Sequence, residues 1–366
     1  MGDTRVLPSC SFMNACESIL GLSPYQGGKP IEELARELGL TKISKLASNE
    51  NPLGVSKSVK KAINDSLVNI NRYPDGNCFE LKKAISEKHN VSSSMISLGN
   101  GSNELLELIA RVFVSKKTDE VIFSQYAFVV YPLVTQALGA TAVVSPANNF
   151  GHDLGSMQSL ISKQTKLIYI ANPNNPTGTL LSDDEVYSFL KQTPTNIPVV
   201  LDQAYFEYLK IDDRTIKWLN EFENLIITRT FSKAYGLAGL RVGYSISSPL
   251  IADYINRVRE PFNVNHTAQV AAIAALKDDK YLADSVTMNF NGYNQLIKGF
   301  KDLNLKFIPS YANFIAVEFK DAMKIYNDLL KEGVIVRPVE MNGYLRISIG
   351  TSSENEHLLE ALKTLL

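Results

Sequence analysis

Residues 230–244 read TFSKAYGLAGLRVGY, and this stretch decides how the rest of the chain is interpreted. The apolar run before it, 225–228, is typical of a strand that delivers the chain to a turn rich in small residues. A lysine held in such a pocket is partly desolvated, which lowers its pKa and makes its amine nucleophilic. Lys233 is therefore a candidate for a Schiff base with an aldehyde, and Ser232 and Arg241 for binding a phosphate on it. The alternative is a solvated lysine in a turn whose glycines serve packing.

Apolar, strand-like runs alternate with helical patterns around this stretch. They lie at 95–98, 120–123, 141–144, 166–170, 198–201, 225–228 and 242–246. Mostly apolar strands joined by helices predict an α/β fold, with a largely parallel sheet covered by helices on both faces. Such sheets bind ligands beyond the carboxyl ends of their strands, which is where the polar motifs of this chain fall. From about Asn263 the pattern changes, and runs at 312–318, 333–337 and 345–350 predict a smaller α+β domain.

The bulk composition limits the classes of function. The 366 residues are 45% hydrophobic with a net charge of −1, so there is no excess of basic charge for nucleic acid or an anionic membrane. No apolar run is long enough to span a bilayer, and the four histidines form no ligand-spaced cluster, so we expect no membrane partner and no metal. Three cysteines favour a reducing compartment over a disulfide framework. We therefore expect a cytoplasmic protein.

The glycine pattern Gly99-x-Gly101-x-x-Glu104 follows a predicted strand and precedes a helix. Free N–H groups and the helix dipole at such a turn favour a phosphate. The pattern also half-matches the dinucleotide-binding fingerprint, and Asp119 and Glu120 lie where a ribose-binding carboxylate is sought. The third glycine is missing, however. A nicotinamide-dependent dehydrogenase is therefore the alternative from a different class of enzyme.

Two more motifs stand at predicted strand ends. Residues 172–179 read NPNNPTGT, which by composition alone is a loop. Residues 201–205 read LDQAY, and an aspartate that closes an apolar strand is costly to bury unless it has a cationic partner. A pyridinium nitrogen would be such a partner for Asp202, and the carboxylate would keep that nitrogen protonated.

Together these motifs resemble those of aminotransferases dependent on pyridoxal phosphate, of the aspartate-aminotransferase fold type, and among them the histidinol-phosphate aminotransferases. The resemblance runs from Tyr25 to about Gly350. It implies pyridoxal 5′-phosphate as cofactor, held by Lys233 as an internal aldimine, and a homodimer. It also implies small-molecule substrates, an amino donor and a 2-oxo acid. In the resembled family these are L-histidinol phosphate and 2-oxoglutarate, which exchange an amino group reversibly in histidine biosynthesis.

The resemblance also implies roles for individual residues. Catalysis falls to Lys233 as general base and acid, to Asp202 at the ring nitrogen and to Tyr205 at the 3′ oxygen. Substrate binding falls to Tyr25 and Asn49, to Arg346 as anchor of the acid group, and to Arg337 as a second candidate. The cofactor contacts are Ser102, Asn103, Phe128, Asn175, Asp202, Tyr205, Ser232, Lys233 and Arg241, with Tyr73 reaching the cofactor phosphate of the neighbouring subunit.

Three departures from the family pattern bear on these roles. Phe128 stands where many relatives have a tyrosine that stacks on the pyridine ring, and Tyr126 is the competing choice. Gln203 replaces the glutamate that usually follows the aspartate, at a position with no assigned role. Gly27 stands where the motif around Tyr25 usually has proline, so the local turn departs from the family pattern.

The expected organisation has three parts. Residues 1–45 form an N-terminal arm and part of the small domain, 46–265 the large cofactor-binding domain, and 266–366 the small C-terminal domain. An aromatic-amino-acid aminotransferase and a threonine-phosphate decarboxylase are alternatives on the same fold, because both can share the cofactor motifs.

Overall fold

The structure, a computed structural model, describes residues 15–24 and 27–366. Its α-helices are α1 Glu17–Leu20, α2 Ile31–Leu38, α3 Lys57–Ser66, α4 Phe79–His89, α5 Ser102–Phe113, α6 Val130–Ala137, α7 Leu154–Ser159, α8 Asp183–Gln192, α9 Thr215–Trp218, α10 Pro249–Val258, α11 His266–Leu276, α12 Asp279–Asp302, α13 Ala322–Lys331 and α14 Ser352–Leu365. Its strands are β1 Ser44–Lys45, β2 Ile96–Gly99, β3 Glu120–Ser124, β4 Thr141–Ser145, β5 Ala147–Asn148, β6 Gly151–His152, β7 Thr165–Ala171, β8 Val199–Asp202, β9 Leu225–Thr230, β10 Gly243–Ser247, β11 Phe314–Glu318, β12 Val334–Ile335, β13 Arg337–Pro338 and β14 Tyr344–Ser348.

A seven-stranded sheet with the order β2-β10-β9-β8-β7-β3-β4 forms the centre of the molecule. The pairs β3–β4, β3–β7, β7–β8 and β8–β9 are parallel, whereas β10 is antiparallel to both of its neighbours. The predicted α/β fold with a largely parallel sheet is thus confirmed, and β10 is the strand that runs against the others. Because β10 is reversed, its amino end lies at the same edge as the carboxyl ends of the other strands.

Both faces of this sheet are covered by helices, as the apolar strands require. On β7, Ile168 and Ile170 join the apolar cluster that includes helices α4, α8 and α11. Leu167 and Tyr169, which alternate with them, join the opposite cluster with helices α5, α6 and α10. The two-residue period of a strand thus divides one apolar run between two cores.

A smaller antiparallel sheet, β11-β14-β13, packs with α12, α13 and α14 around a separate apolar cluster. The short strand β1 belongs with this part of the chain, since it pairs in parallel with β12. Within residues 15–24 and 27–366, no helix combines the length and apolarity that a membrane crossing requires. The same residues contain no group of three or more side chains suited to hold a metal ion.

Candidate active site

One edge of the central sheet collects the motifs found in the sequence. Ala171, Asp202 and Thr230 are the last residues of β7, β8 and β9, and Gly99 is the last of β2. Parallel strands end at a common edge, so the loops that follow them meet there. They enclose a cleft of about 200 Å³. The predicted site residues that line it are Asn49, Ser102, Asn103, Phe128, Asn175, Asp202, Tyr205, Ser232, Lys233, Arg241, Arg337 and Arg346.

Of the other three predicted positions, two lie outside this lining and one cannot be placed. Tyr25 is outside the described residues. Tyr73 is 84% exposed and its ring stacks on that of Phe262, with 4.7 Å between the centroids. Tyr126, the alternative to Phe128, packs against Phe150 at 5.8 Å, whereas Phe128 lines the cleft.

Lys233 follows β9 in a turn, and its half-buried side chain reaches into the cleft. Its Nζ donates a hydrogen bond to the carbonyl oxygen of Ser48 at 3.2 Å. Burial, with the positive charge of Arg346 as the next cause, lowers the pKa of Lys233 to about 7. A substantial fraction of this amine is therefore neutral, and thus nucleophilic, near neutral pH.

The cleft is built to hold an anion at one end. Arg241 Nη1 donates to the hydroxyl of Ser232 at 3.2 Å. The backbone of Arg241 is left-handed at φ 55°, which brings the side chain back toward the start of α5. Gly101, at φ 80°, precedes that helix, and a Cβ there would lie 2.3 Å from Arg241 Nη2. Among the described residues no side chain caps α5, so the first N–H groups of this helix are available to a phosphate beside the guanidinium.

Asp202 lies at the back of the cleft and is 4% exposed. Its Oδ2 accepts a hydrogen bond from the hydroxyl of Tyr131 at 2.8 Å, and its Oδ1 accepts one from Thr228 at 3.1 Å. Burial raises the pKa of Asp202, and these hydrogen bonds oppose that rise. The hydrogen-bond partners of this carboxylate among the described residues are all neutral, so it is a buried acid suited to a cationic ligand.

On the other wall of the cleft, polar contacts connect the small antiparallel sheet with the segments around the central sheet. Arg346, on β14, donates from Nη1 to Asn175 Oδ1 at 2.7 Å and from Nη2 to the carbonyl oxygen of Ala47 at 2.8 Å. Asn49 donates from Nδ2 to the hydroxyl of Tyr205 at 3.0 Å and accepts from the hydroxyl of Ser348 at 2.9 Å. Residues predicted for the cofactor and for the substrate therefore contact one another directly.

Two side chains at this site escaped the sequence analysis. Tyr131 and Thr228 both contact Asp202, yet each stands in a run that reads as apolar core. The signal for Thr228 was that it stands near the end of an apolar strand, as Asp202 does, and the structure pairs the two residues across β8 and β9. The side chain of Gln203 points away from the cleft, and its Oε1 accepts a hydrogen bond from Arg229 Nη2 at 2.7 Å. Asp213 supplies a carboxylate to the same guanidinium at 2.7 Å, so the charge of Arg229 is balanced without the usual glutamate.

This donor set fits pyridoxal phosphate. The cleft offers a cationic, N–H-rich end for a phosphate, a buried carboxylate for a ring nitrogen, an aromatic ring at Phe128 and a lysine of lowered pKa. The dinucleotide alternative fits less well. Glu104 occupies the position of the third glycine, and its carboxylate accepts the N–H of Asn100 at 2.6 Å and the amide of Asn263 at 2.7 Å.

Comparisons with known proteins agree with this geometry. Residues 41–362 match the family model described as aminotransferase class I and II. The histidinol-phosphate aminotransferase 1 of Idiomarina loihiensis is 52% identical over 350 residues, which is 94% of this chain and 95% of that protein. The histidinol-phosphate aminotransferase of Methylobacillus flagellatus is 52% identical over 359 residues, which is 96% of this chain and 97% of that protein. The crystal structure of histidinol-phosphate aminotransferase from Sinorhizobium meliloti in complex with pyridoxal-5′-phosphate superposes with a TM-score of 0.89, at 29% identity, over 97% of this chain and 99% of that one.

Proposed function

The chain belongs to the class I and II aminotransferases, and from that premise we propose that it is a pyridoxal-phosphate-dependent histidinol-phosphate aminotransferase of histidine biosynthesis. It transfers an amino group reversibly between L-histidinol phosphate and 2-oxoglutarate. The observation that carries the proposal is the meeting of a nucleophilic lysine, a buried carboxylate and a phosphate cradle in one cleft, in a chain about half identical to named enzymes along nearly its full length. The dehydrogenase alternative has no support in the family match.

The bound cofactor supplies an electron sink for the carbanion that forms at the substrate's Cα. Ser232, Arg241 and the first N–H groups of α5 would bind its phosphate. Asp202 would hold the charge of its ring nitrogen, and Phe128 would pack on the ring. Asn175 and Tyr205 would hydrogen-bond the 3′ oxygen of the cofactor. Ser102 and Asn103 would join the residues that bind its phosphate.

Proton transfer falls to Lys233. Its amine, neutral in part at pH 7, would take the proton from the substrate's Cα as general base and would then, as general acid, deliver it to C4′ of the cofactor. Burial and the charge of Arg346 set this balance, because both disfavour the ammonium form.

Substrate recognition falls to the wall formed by the small sheet. Arg337 and Arg346 stand opposite each other on β13 and β14, and both line the cleft. A guanidinium can bind a phosphate or a carboxylate through two parallel hydrogen bonds. The same arginine can therefore anchor histidinol phosphate in one half-reaction and 2-oxoglutarate in the other.

We also propose that the enzyme is a homodimer that works in the cytoplasm. Exposed apolar side chains lie along the segment on either side of Tyr73, and Phe262 stacks on Tyr73 itself; we assign to the dimer the surface formed by Leu67, Val68, Ile70, Tyr73, Phe79 and Phe262. A second copy would cover this surface, and Tyr73 would then reach the partner's phosphate site. Light scattering tests the assembly, since a monomer at micromolar concentration would contradict it. The cytoplasm suits the two described cysteines, Cys16 and Cys78, because both are free thiols.

Two experiments test the site and the reaction. Borohydride reduction of the loaded enzyme, followed by peptide mapping, should attach the cofactor to the peptide that contains Lys233. Steady-state rates with L-histidinol phosphate, phenylalanine and threonine phosphate should then favour the first. Labelling at another lysine would refute the site. A preference for phenylalanine, or decarboxylation of threonine phosphate, would instead identify one of the two alternatives on this fold.

A further inference from the structure

Tyr131 is a completely buried tyrosine whose hydroxyl makes a hydrogen bond to the active site. It lies in the first turn of α6, and its hydroxyl donates to Asp202 Oδ2 at 2.8 Å. The ring is held on two sides. It stacks on Tyr169, with 4.4 Å between centroids and 1° between planes, and meets Phe128 edge-on at 5.9 Å. The hydroxyl therefore has a fixed position relative to the carboxylate.

The proton in this hydrogen bond stays on the tyrosine. Burial, followed by the negative charge of Asp202, raises the pKa of Tyr131 well above its usual value. Tyr169 and Tyr205 are the other titratable groups whose charges act on Tyr131. In the part of the chain that the structure describes, Asp202 accepts hydrogen bonds from Tyr131, from Thr228 and from the N–H of Ala204, and all three donors are neutral. Donors to a carboxylate stabilise its anion and make it a weaker base.

We propose that Tyr131 is a positioning residue for Asp202, whose hydrogen bond keeps the proton shared with the cofactor on the ring nitrogen. The proposal rests on the proposed function, since the nitrogen in question is that of bound pyridoxal phosphate. Without this donor the carboxylate is the stronger base, so the proton moves toward Asp202. A ring nitrogen without its proton is a poorer sink for the electrons of the carbanion.

The stacked tyrosines supply a matched pair of variants. Tyr131→Phe and Tyr169→Phe each remove one buried hydroxyl from the same ring stack. The hydroxyl of Tyr169, however, donates to the carbonyl oxygen of Leu106 at 2.7 Å, away from the carboxylate. Both variants should lose stability, because each deletes one buried hydrogen bond. Only Tyr131→Phe should change the protonation of Asp202 and of the cofactor.

The first measurement uses the protein without cofactor. Carboxyl ¹³C NMR of aspartate-labelled protein, with the Asp202 signal assigned by its absence in Asp202→Asn, should show the carboxyl pKa rise by about one to two units in Tyr131→Phe. Tyr169→Phe should match wild type. Thr228→Val removes the other side-chain donor without touching the ring stack, and it should also raise this pKa. If Tyr131→Phe does not fold, Tyr131→Met, which also lacks the hydroxyl, takes its place in both measurements.

The second measurement uses enzyme loaded with cofactor ¹⁵N-labelled in the ring. In Tyr131→Phe the nitrogen shift should move toward that of neutral pyridine, and kcat should fall about tenfold to a hundredfold with little change in KM. An unchanged carboxyl pKa and nitrogen shift would overturn the proposal, as would equal changes in Tyr169→Phe. A wild-type protein that binds no cofactor would instead refute the proposed function, and the cofactor-free arm would still decide whether Tyr131 controls Asp202.

Discussion

Replacing Arg346 with lysine tests whether one residue anchors both substrates. The guanidinium uses two nitrogens at once, for Asn175 Oδ1 at 2.7 Å and for the carbonyl oxygen of Ala47 at 2.8 Å. A lysine keeps the charge but has a single nitrogen, so it cannot reproduce this planar fork. The loss of one charge-assisted hydrogen bond to the substrate's acid group costs about 1.5–3 kcal/mol. We therefore expect kcat/KM to fall about 10- to 150-fold for histidinol phosphate and for 2-oxoglutarate alike.

Single-turnover kinetics separate the two half-reactions, since each changes the cofactor's absorbance in a different direction. Rates at saturating substrate should fall less than kcat/KM, because the lost contact is made in the ground state as well as in the transition state. Arg337→Lys is the matched control, as Arg337 faces Arg346 across the β13–β14 ladder and also lines the cleft. If Arg346→Lys weakens only one half-reaction and Arg337→Lys weakens the other, each substrate has its own anchor and the shared-anchor reasoning is wrong.

Three further predictions concern the catalytic groups. Lys233→Ala should abolish turnover and leave the far-ultraviolet circular dichroism unchanged, because only the nucleophile and proton carrier is lost; residual turnover would show another base. In the cofactor-free protein, the pKa of Lys233 of about 7 predicts that pyridoxal phosphate uptake, followed by stopped-flow absorbance, slows as the pH falls through 7, when the amine becomes protonated. A rate independent of pH between about 6 and 8 would contradict this lowered pKa. Asp202→Asn should bind cofactor but react about a hundredfold or more slowly in single turnover, and a near-normal rate would leave Asp202 a structural role alone.

The sheet and its polar edge were predictable because they depend on local sequence order. Strands β2, β7, β8 and β9 are mostly apolar over four to seven residues, and each leads into a polar motif, as β8 does at Asp202. The reversal of β10 was not predictable in this way. Residues 243–247 are buried whichever way the strand runs, and pairing with β2 and β9 alone decides the direction.

Contacts between distant parts of the chain explain what the sequence missed at the site. The hydroxyl of Ser348 and the side chain of Asn49 meet only because the small sheet packs against the segment after β1. Tyr131 resembles any core aromatic until α6 is placed over β8, where its hydroxyl meets Asp202. Hydrophobic periodicity identifies which face is buried, but not which polar atom a buried hydroxyl will meet.

The pairing of β1 with β12 has a consequence for how the protein is made. The N–H of Ser44 donates to the carbonyl oxygen of Gly333 at 2.8 Å, and the N–H of Leu46 donates to that of Ile335 at 2.7 Å. A segment made early in synthesis is therefore hydrogen-bonded to one made late. On the ribosome, residues 44–46 emerge long before their partners. The strands of the central sheet, in contrast, all lie within residues 96–247. Synthesis from the amino end lets the large sheet assemble before the partner of β1 has been made. The cleft gains Arg337 and Arg346 only when β13 and β14 have been translated.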